Sequence, residues 1–85
     1  MPKHDIGIVI VNYNVRHFLT QCLQSIRNSE IKGLKLEIWV VDNASLDGSV
    51  GLIKKDFPEV HLIANENNLG FSVANNQAIR QMDWV

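Results

Sequence analysis

Two short apolar runs, each followed by a segment with helical periodicity, constrain this chain more than any other feature of its sequence. From Ile6 to Val11 it reads Ile-Gly-Ile-Val-Ile-Val, almost free of polar side chains. A β-branched run this short and continuous fits a parallel strand covered on both faces, not one that alternates between core and water. Asn12, Tyr13 and Asn14 end it. Between Val15 and Ile26 the apolar residues Val15, Phe18, Leu19, Cys22, Leu23 and Ile26 fall at offsets 0, 3, 4, 7, 8 and 11, the stripe of an amphipathic helix.

The pattern then repeats. A polar, Gly-containing link from Asn28 to Lys35 leads to a second buried strand, Leu36 to Val41, which ends at Asp42. Asn43 to Gly48 reads as a loop, with Ser45 or Asp47 placed to cap a helix that turns Val50, Ile53 and Phe57 inward and closes at Pro58. A short strand, Val60 to Ala64, precedes the turn Asn65 to Gly70, whose Asn and Gly residues tolerate positive φ. The third helix carries Phe71, Ala74, Ala78, Ile79 and Met82 on one face, with Ser72 positioned to cap its first turn. Strand–helix order repeated three times implies parallel strands joined by right-handed crossovers, hence an α/β fold of the three-layer α/β/α sandwich type. In such open sheets the ligand crevice lies beyond the carboxyl ends of the strands, where Asn12 to Asn14, Asp42 to Asp47 and Asn65 to Gly70 fall.

With 85 residues the chain forms a single domain, residues 1–85, and a domain of this size buries only about 60–65% of its unfolded surface. Eight Lys and Arg against nine Asp and Glu give a net charge of −1, which offers no field for nucleic acid or an anionic membrane. No apolar run is long enough for a signal peptide or a membrane span, so a cytoplasmic location is expected. The single cysteine, Cys22, is read as a core thiol from its place on the helical stripe. His4, His17 and His61 lack metal-ligand spacing and read as surface residues; the Asn43-Ala44-Ser45 sequon is read as a chance match. No P-loop, Ser-His-Asp ordering or Cys-His pair is present.

The rim residues suggest a neutral binding site. Asp42, at the tip of the second strand, is suited to accept a ligand N–H, and equally to cap its own turn with Asn43 and Ser45. Tyr13 offers a flat ring on which a nucleobase could stack, although packing against the second helix is the plainer alternative. Asn12, Asn14, Asn67, Asn68, Asn75 and Asn76 supply amides, which donate and accept without titrating. Between Val9 and Asn28 there is no glycine, so the first turn lacks the backbone approach that a dinucleotide pyrophosphate needs.

Three segments in order, Ile8 to Asn14, Val40 to Ser49 and Asn67 to Ile79, together resemble the family-2 glycosyltransferases of the GT-A fold, especially bacterial rhamnosyltransferase-like members. The likeness covers residues 6 to about 81. It implies the Rossmann-like (β-α)3 first half of that fold and a parent reaction of inverting transfer from a UDP- or dTDP-sugar to a saccharide or lipid-linked acceptor. By resemblance, Tyr13 matches the position that packs on the pyrimidine and Asp42 the one that accepts its N3–H. Asn12, Gly70 and Asn75 match positions lining the rest of the nucleoside pocket.

Family members continue into a fourth strand that ends in a metal-binding carboxylate motif, with manganese or magnesium on the donor diphosphate. Here Arg80-Gln81-Met82-Asp83-Trp84-Val85 closes the sequence, and Asp83 is no substitute because it lies in or beside the third helix. The expectation is a nucleotide-binding portion without catalytic residues or a metal site, inactive in isolation. The same family order puts a neighbour on the free side of the first strand, so that edge, left open, is expected to drive a homodimer or larger assembly. The rival reading is an oligomerising structural module that binds no nucleotide. A nucleotidyltransferase half is disfavoured by the missing Gly-rich or Arg-containing loop after Val11.

Overall fold

A three-stranded parallel sheet organises the chain in the computed structural model, which describes residues 6–28 and 35–82. The elements are β1 (Ile6–Asn12), α1 (Arg16–Arg27), β2 (Leu36–Asn43), α2 (Ser49–Asp56), β3 (His61–Asn65) and α3 (Phe71–Gln81). Strand order is β1-β2-β3, with Asn12 opposite Asp42 and Asn43 opposite Asn65 at the carboxyl ends. The ladder therefore runs one or two residues past the apolar runs, because the backbone of the polar tips still pairs.

Side chains alternate across a strand, so the continuous apolar runs serve two cores. Ile10, Ile38, Val40 and Leu62 pack with Leu19 and Leu23 of α1 and with Ile53 and Phe57 at α2. Val9, Val11, Trp39, Val41 and Ile63 pack on the other face with Ala74 and Ala78 of α3. The result is the α/β/α sandwich expected from the sequence. Val40 and Val41, consecutive on the central strand, are both 0% exposed, one in each core. Full burial of such a side chain stabilises the fold by about 1.5–3 kcal/mol. Small Ala74 and Ala78 set α3 close against the sheet.

The helical stripes are only partly covered. On α1, Leu19 and Leu23 are buried while Phe18 is 65% exposed and Val15 is also exposed. Cys22 is half-buried and forms part of a groove wall, not the interior of the core. The reason is that α1 overhangs β1, and among the described residues β1 pairs with β2 alone. Phe71 and Ile79 of α3 likewise face outward, leaving Ala74 and Ala78 as its buried residues, with Met82 buried just past its end.

Capping also differs from expectation. Gly48 (φ 84°) is the N-cap of α2 and Gly70 (φ 81°, ψ 172°) that of α3, so Ser72 lies inside its helix. Both glycines hold left-handed backbone that an L side chain rarely adopts. His4 and Asp83 lie outside the described residues.

Candidate functional site

The rim at the carboxyl ends of the strands is built from consecutive residues that reach in different directions. Asn12, Asp42 and Asn43 are 0%, 1% and 2% exposed, which polar side chains tolerate only when hydrogen-bonded. The Asn12 amide donates to Asp42 Oδ1 at 2.7 Å and to Ser45 Oγ at 3.2 Å. Asp42 Oδ2 accepts from the Ser45 backbone N–H at 2.9 Å. Asp42 thus closes its own turn, the arrangement its loop position allowed, and also holds the tip of β1. Asn12 Oδ1 is buried without a partner among the described residues.

Asn14 completes this side of the rim. Its N–H donates to Ser45 Oγ at 2.9 Å, and its Oδ1 accepts from Leu46 N–H at 2.7 Å. Asn14 sits at φ 53° and Ala44, across from it, at φ 65°. Asn tolerates that region, whereas for Ala it costs about 1–2 kcal/mol. The network of Asn12, Asp42 and Asn14 holds the loop in this form.

Asp47 serves two helices. Its Oδ2 accepts from the Arg16 N–H that opens α1, and its Oδ1 from the Ser49 N–H and hydroxyl at the start of α2. Neither helix has a capping side chain at its own N-cap position. One carboxylate between two N-termini meets the orphan donors of both and the positive ends of their dipoles. The hydrogen bond from Ser49 is the main cause that holds the Asp47 carboxyl below the ordinary aspartate range, helped by the Arg16 N–H and opposed by desolvation. The sequence suggested Asp47 as a cap for α2; its service to α1 depends on a contact 31 residues away.

Tyr13 follows directly after Asn12 and is half-exposed. On the other side of β2, Asn43 Nδ2 donates to the Gly70 carbonyl at 3.2 Å, and Asn65 links Asn43 to Gln77. Asn75 is half-buried on α3. Of the five residues singled out from sequence, the structure joins Asn12 and Asp42 directly. It sets Tyr13 beside them and places Gly70 and Asn75 on the β3–α3 side. Asn43, Asn65 and Gln77 were not singled out; their partners lie 12 to 27 residues apart, beyond any local pattern.

Among the described residues no three His, Cys, Asp or Glu side chains gather as a cation site. The two rim carboxylates already accept hydrogen bonds from Asn12, Ser45, Arg16 and Ser49. These residues do not fit manganese or magnesium. No described helix is long and apolar enough to cross a membrane.

Comparison with known proteins agrees with this architecture. The structure superposes on the mannosyltransferase PcManGT from Pyrobaculum calidifontis, solved with GDP-Man and Mn2+, with a TM-score of 0.78 and 25% identity, covering 94% of this chain and 26% of that one. In sequence it is 36% identical to the glycosyltransferase GlyA of Streptococcus pneumoniae over 80 residues, 91% of this chain and 11% of that protein. It is 37% identical to the abequosyltransferase RfbV of Salmonella typhimurium over 70 residues, 76% of this chain and 21% of that protein. The chain thus spans between a tenth and about a quarter of the length of these relatives. The model of glycosyl transferase family 2 matches residues 7–83, and with the GT-A-type sheet and these relatives, this chain belongs to glycosyl transferase family 2.

Proposed function

We propose that this chain forms the nucleoside-binding portion of an inverting glycosyltransferase that takes a UDP- or dTDP-sugar and serves a saccharide or lipid-linked acceptor. The observation that carries the reading is the buried Asn12–Asp42 pair next to a half-exposed Tyr13 at the carboxyl ends of parallel strands. The ring stacks on the pyrimidine, and the carboxylate accepts the N3–H. Asn12, Gly70 and Asn75 line the remainder. Asp42 is 1% exposed and engaged by the Ser45 N–H, so the base reaches it only as the 44–48 loop yields. The rim residues bind and orient; a divalent cation, which would neutralise the donor diphosphate, has to be held by residues beyond the described ones. The 85 residues alone are therefore proposed to bind nucleotide without turning over.

Titration with UDP, dTDP and GDP, followed by amide resonances, tests this. UDP and dTDP should shift Tyr13, Ser45 and Gly70 together. Shifts with GDP alone would overturn the pyrimidine assignment, and no shifts with any of the three would overturn nucleotide binding.

Among the described residues β1 pairs along one edge only, which supports a homodimer of this chain. Beside it lies a groove of about 480 Å3 lined by Ile8, Ile10, Phe18, Cys22 and Ile26 together with Gln21 and Ser25, none of them charged. Two copies can therefore meet there across a two-fold axis without burying like charges. Sedimentation at micromolar concentration should give a dimer; a monomer would leave this face without a partner in solution and sink the assembly.

A further inference from the structure

The tip of β2 sends two consecutive side chains to opposite flanks, since strand residues alternate. Asp42 turns to β1 and the 44–48 loop. Asn43 turns to the β3–α3 loop, where its Oδ1 accepts from Leu69 N–H at 3.4 Å and its Nδ2 donates to the Gly70 carbonyl. The same Oδ1 accepts from Asn65 Nδ2 at 3.0 Å, and Asn65 and Gln77 exchange a reciprocal pair of amide hydrogen bonds at 2.8 and 3.0 Å. Asn68 Oδ1 accepts from the Gly70 N–H at 2.9 Å. Gly70 is thereby held from both sides, at a φ of 81°.

We infer that Asn43 is a positioning residue for the nucleotide site: it fixes Leu69 and Gly70, and with them the start of α3, as the second wall of the pocket opposite Tyr13. This rests on the nucleotide reading proposed above. Asn43 commits its amide to Asn65 and to the backbone of Leu69 and Gly70, so its effect on the site is transmitted through that loop. An amide is the side chain that suits the place. It must accept from one N–H and donate to one carbonyl at neighbouring residues, and a carboxylate or hydroxyl lacks one of those functions or the reach for both. Gln77 provides the control, because it belongs to the same amide chain but bonds only to Asn65, not to the loop.

The test compares the 85-residue parent with Asn43→Ala, Asn43→Ser and Gln77→Ala, reading UDP affinity, thermal unfolding and hydrogen exchange at Leu69 and Gly70. Asn43→Ala should weaken UDP binding by about tenfold or more, with faster exchange at Leu69 and Gly70, because the loop loses its two hydrogen bonds to Asn43. Gln77→Ala should lower the melting temperature but change UDP affinity by less than about twofold. Asn43→Ser stands in if the alanine variant fails to fold, and should bind more weakly than the parent. Parent-like affinity in the folded Asn43 variant, or equal losses at Asn43 and Gln77, would overturn the positioning role. Failure of the parent to bind any nucleotide would overturn the underlying reading instead, and the role with it.

Discussion

The strand tips and the outer flank of α1 invert the usual relation between polarity and exposure. At the tips, Asn12, Asp42 and Asn43 are almost wholly buried, whereas on the flank Phe18 is 65% exposed and Val15 and Ile6 are also exposed. Both arrangements have a physical cause. The polar tips can be buried because each side chain has partners, arranged as Asn12–Asp42–Ser45 on one side of β2 and Asn43–Asn65–Gln77 on the other. The apolar flank is exposed because α1 extends past the edge of the described sheet. A polar network held by this many buried hydrogen bonds is rigid and intolerant of deletion. An open apolar groove contributes little until something covers it. The lesson is that in this chain burial follows the supply of hydrogen-bond partners at the rim and the reach of the described sheet on the flank.

The contrast is most severely tested by Asp42→Ala. Removing the carboxylate leaves one Asn12 amide N–H and the Ser45 N–H without their buried acceptor, and at about 1–3 kcal/mol for each of these two donors the variant should lose about 2–6 kcal/mol of stability. Urea unfolding that shows a loss under about 1 kcal/mol would mean these buried bonds do not hold the rim together.

Gly48→Ala should come next, at about 1–2 kcal/mol, since the cost is one residue forced to φ 84°. The added Cβ would stand 3.1 Å from the end of the Arg16 side chain, which can swing away, so space adds little. A neutral effect would show that the loop relaxes, and would weaken the claim that the Asn12, Asp42 and Asn14 network holds it in one form.

A smaller effect belongs to Asp47. Its carboxyl titrates below the ordinary range in the fold, chiefly through the Ser49 hydrogen bond, so it contributes stability that is fully present above the unfolded-state pKa. That contribution should disappear as pH falls through the lower folded-state value. Comparing the parent with Asp47→Asn, the stability gap should therefore narrow toward acid pH; a constant gap from neutral to acid would remove the ionic part of this double cap.

The smallest change in stability is expected on the flank. Phe18→Ser should shift monomer stability by less than about 0.5 kcal/mol, the range of surface substitutions, while weakening self-association. If it destabilises as strongly as Leu19→Ala, for which about 2–5 kcal/mol is expected of a residue 1% exposed, the flank is core and the contrast fails.

Much of this molecule was decided locally. Period-two and period-3.6 patterns depend on residues a few positions apart, so the three strand–helix units, the burial of Val40 and Val41 on opposite faces of the sheet, and the gathering of amides at one edge were all legible in the sequence, whereas the run from Ile6 to Val11, expected to be covered on both faces, is only partly covered, with Ile6 37% exposed. So was the family, through three ordered segments. Tertiary structure decided which rim groups meet. Asp47 reaches the start of α1 across 31 positions, Asn43 reaches Gly70 across 27, and nothing in local spacing selects those partners over other nearby amides and carboxylates. It also decided that Val15 and Phe18 of the α1 stripe face outward. Periodicity specifies an apolar face, but whether that face is covered depends on how far the sheet extends beneath it, and the described sheet ends at β1.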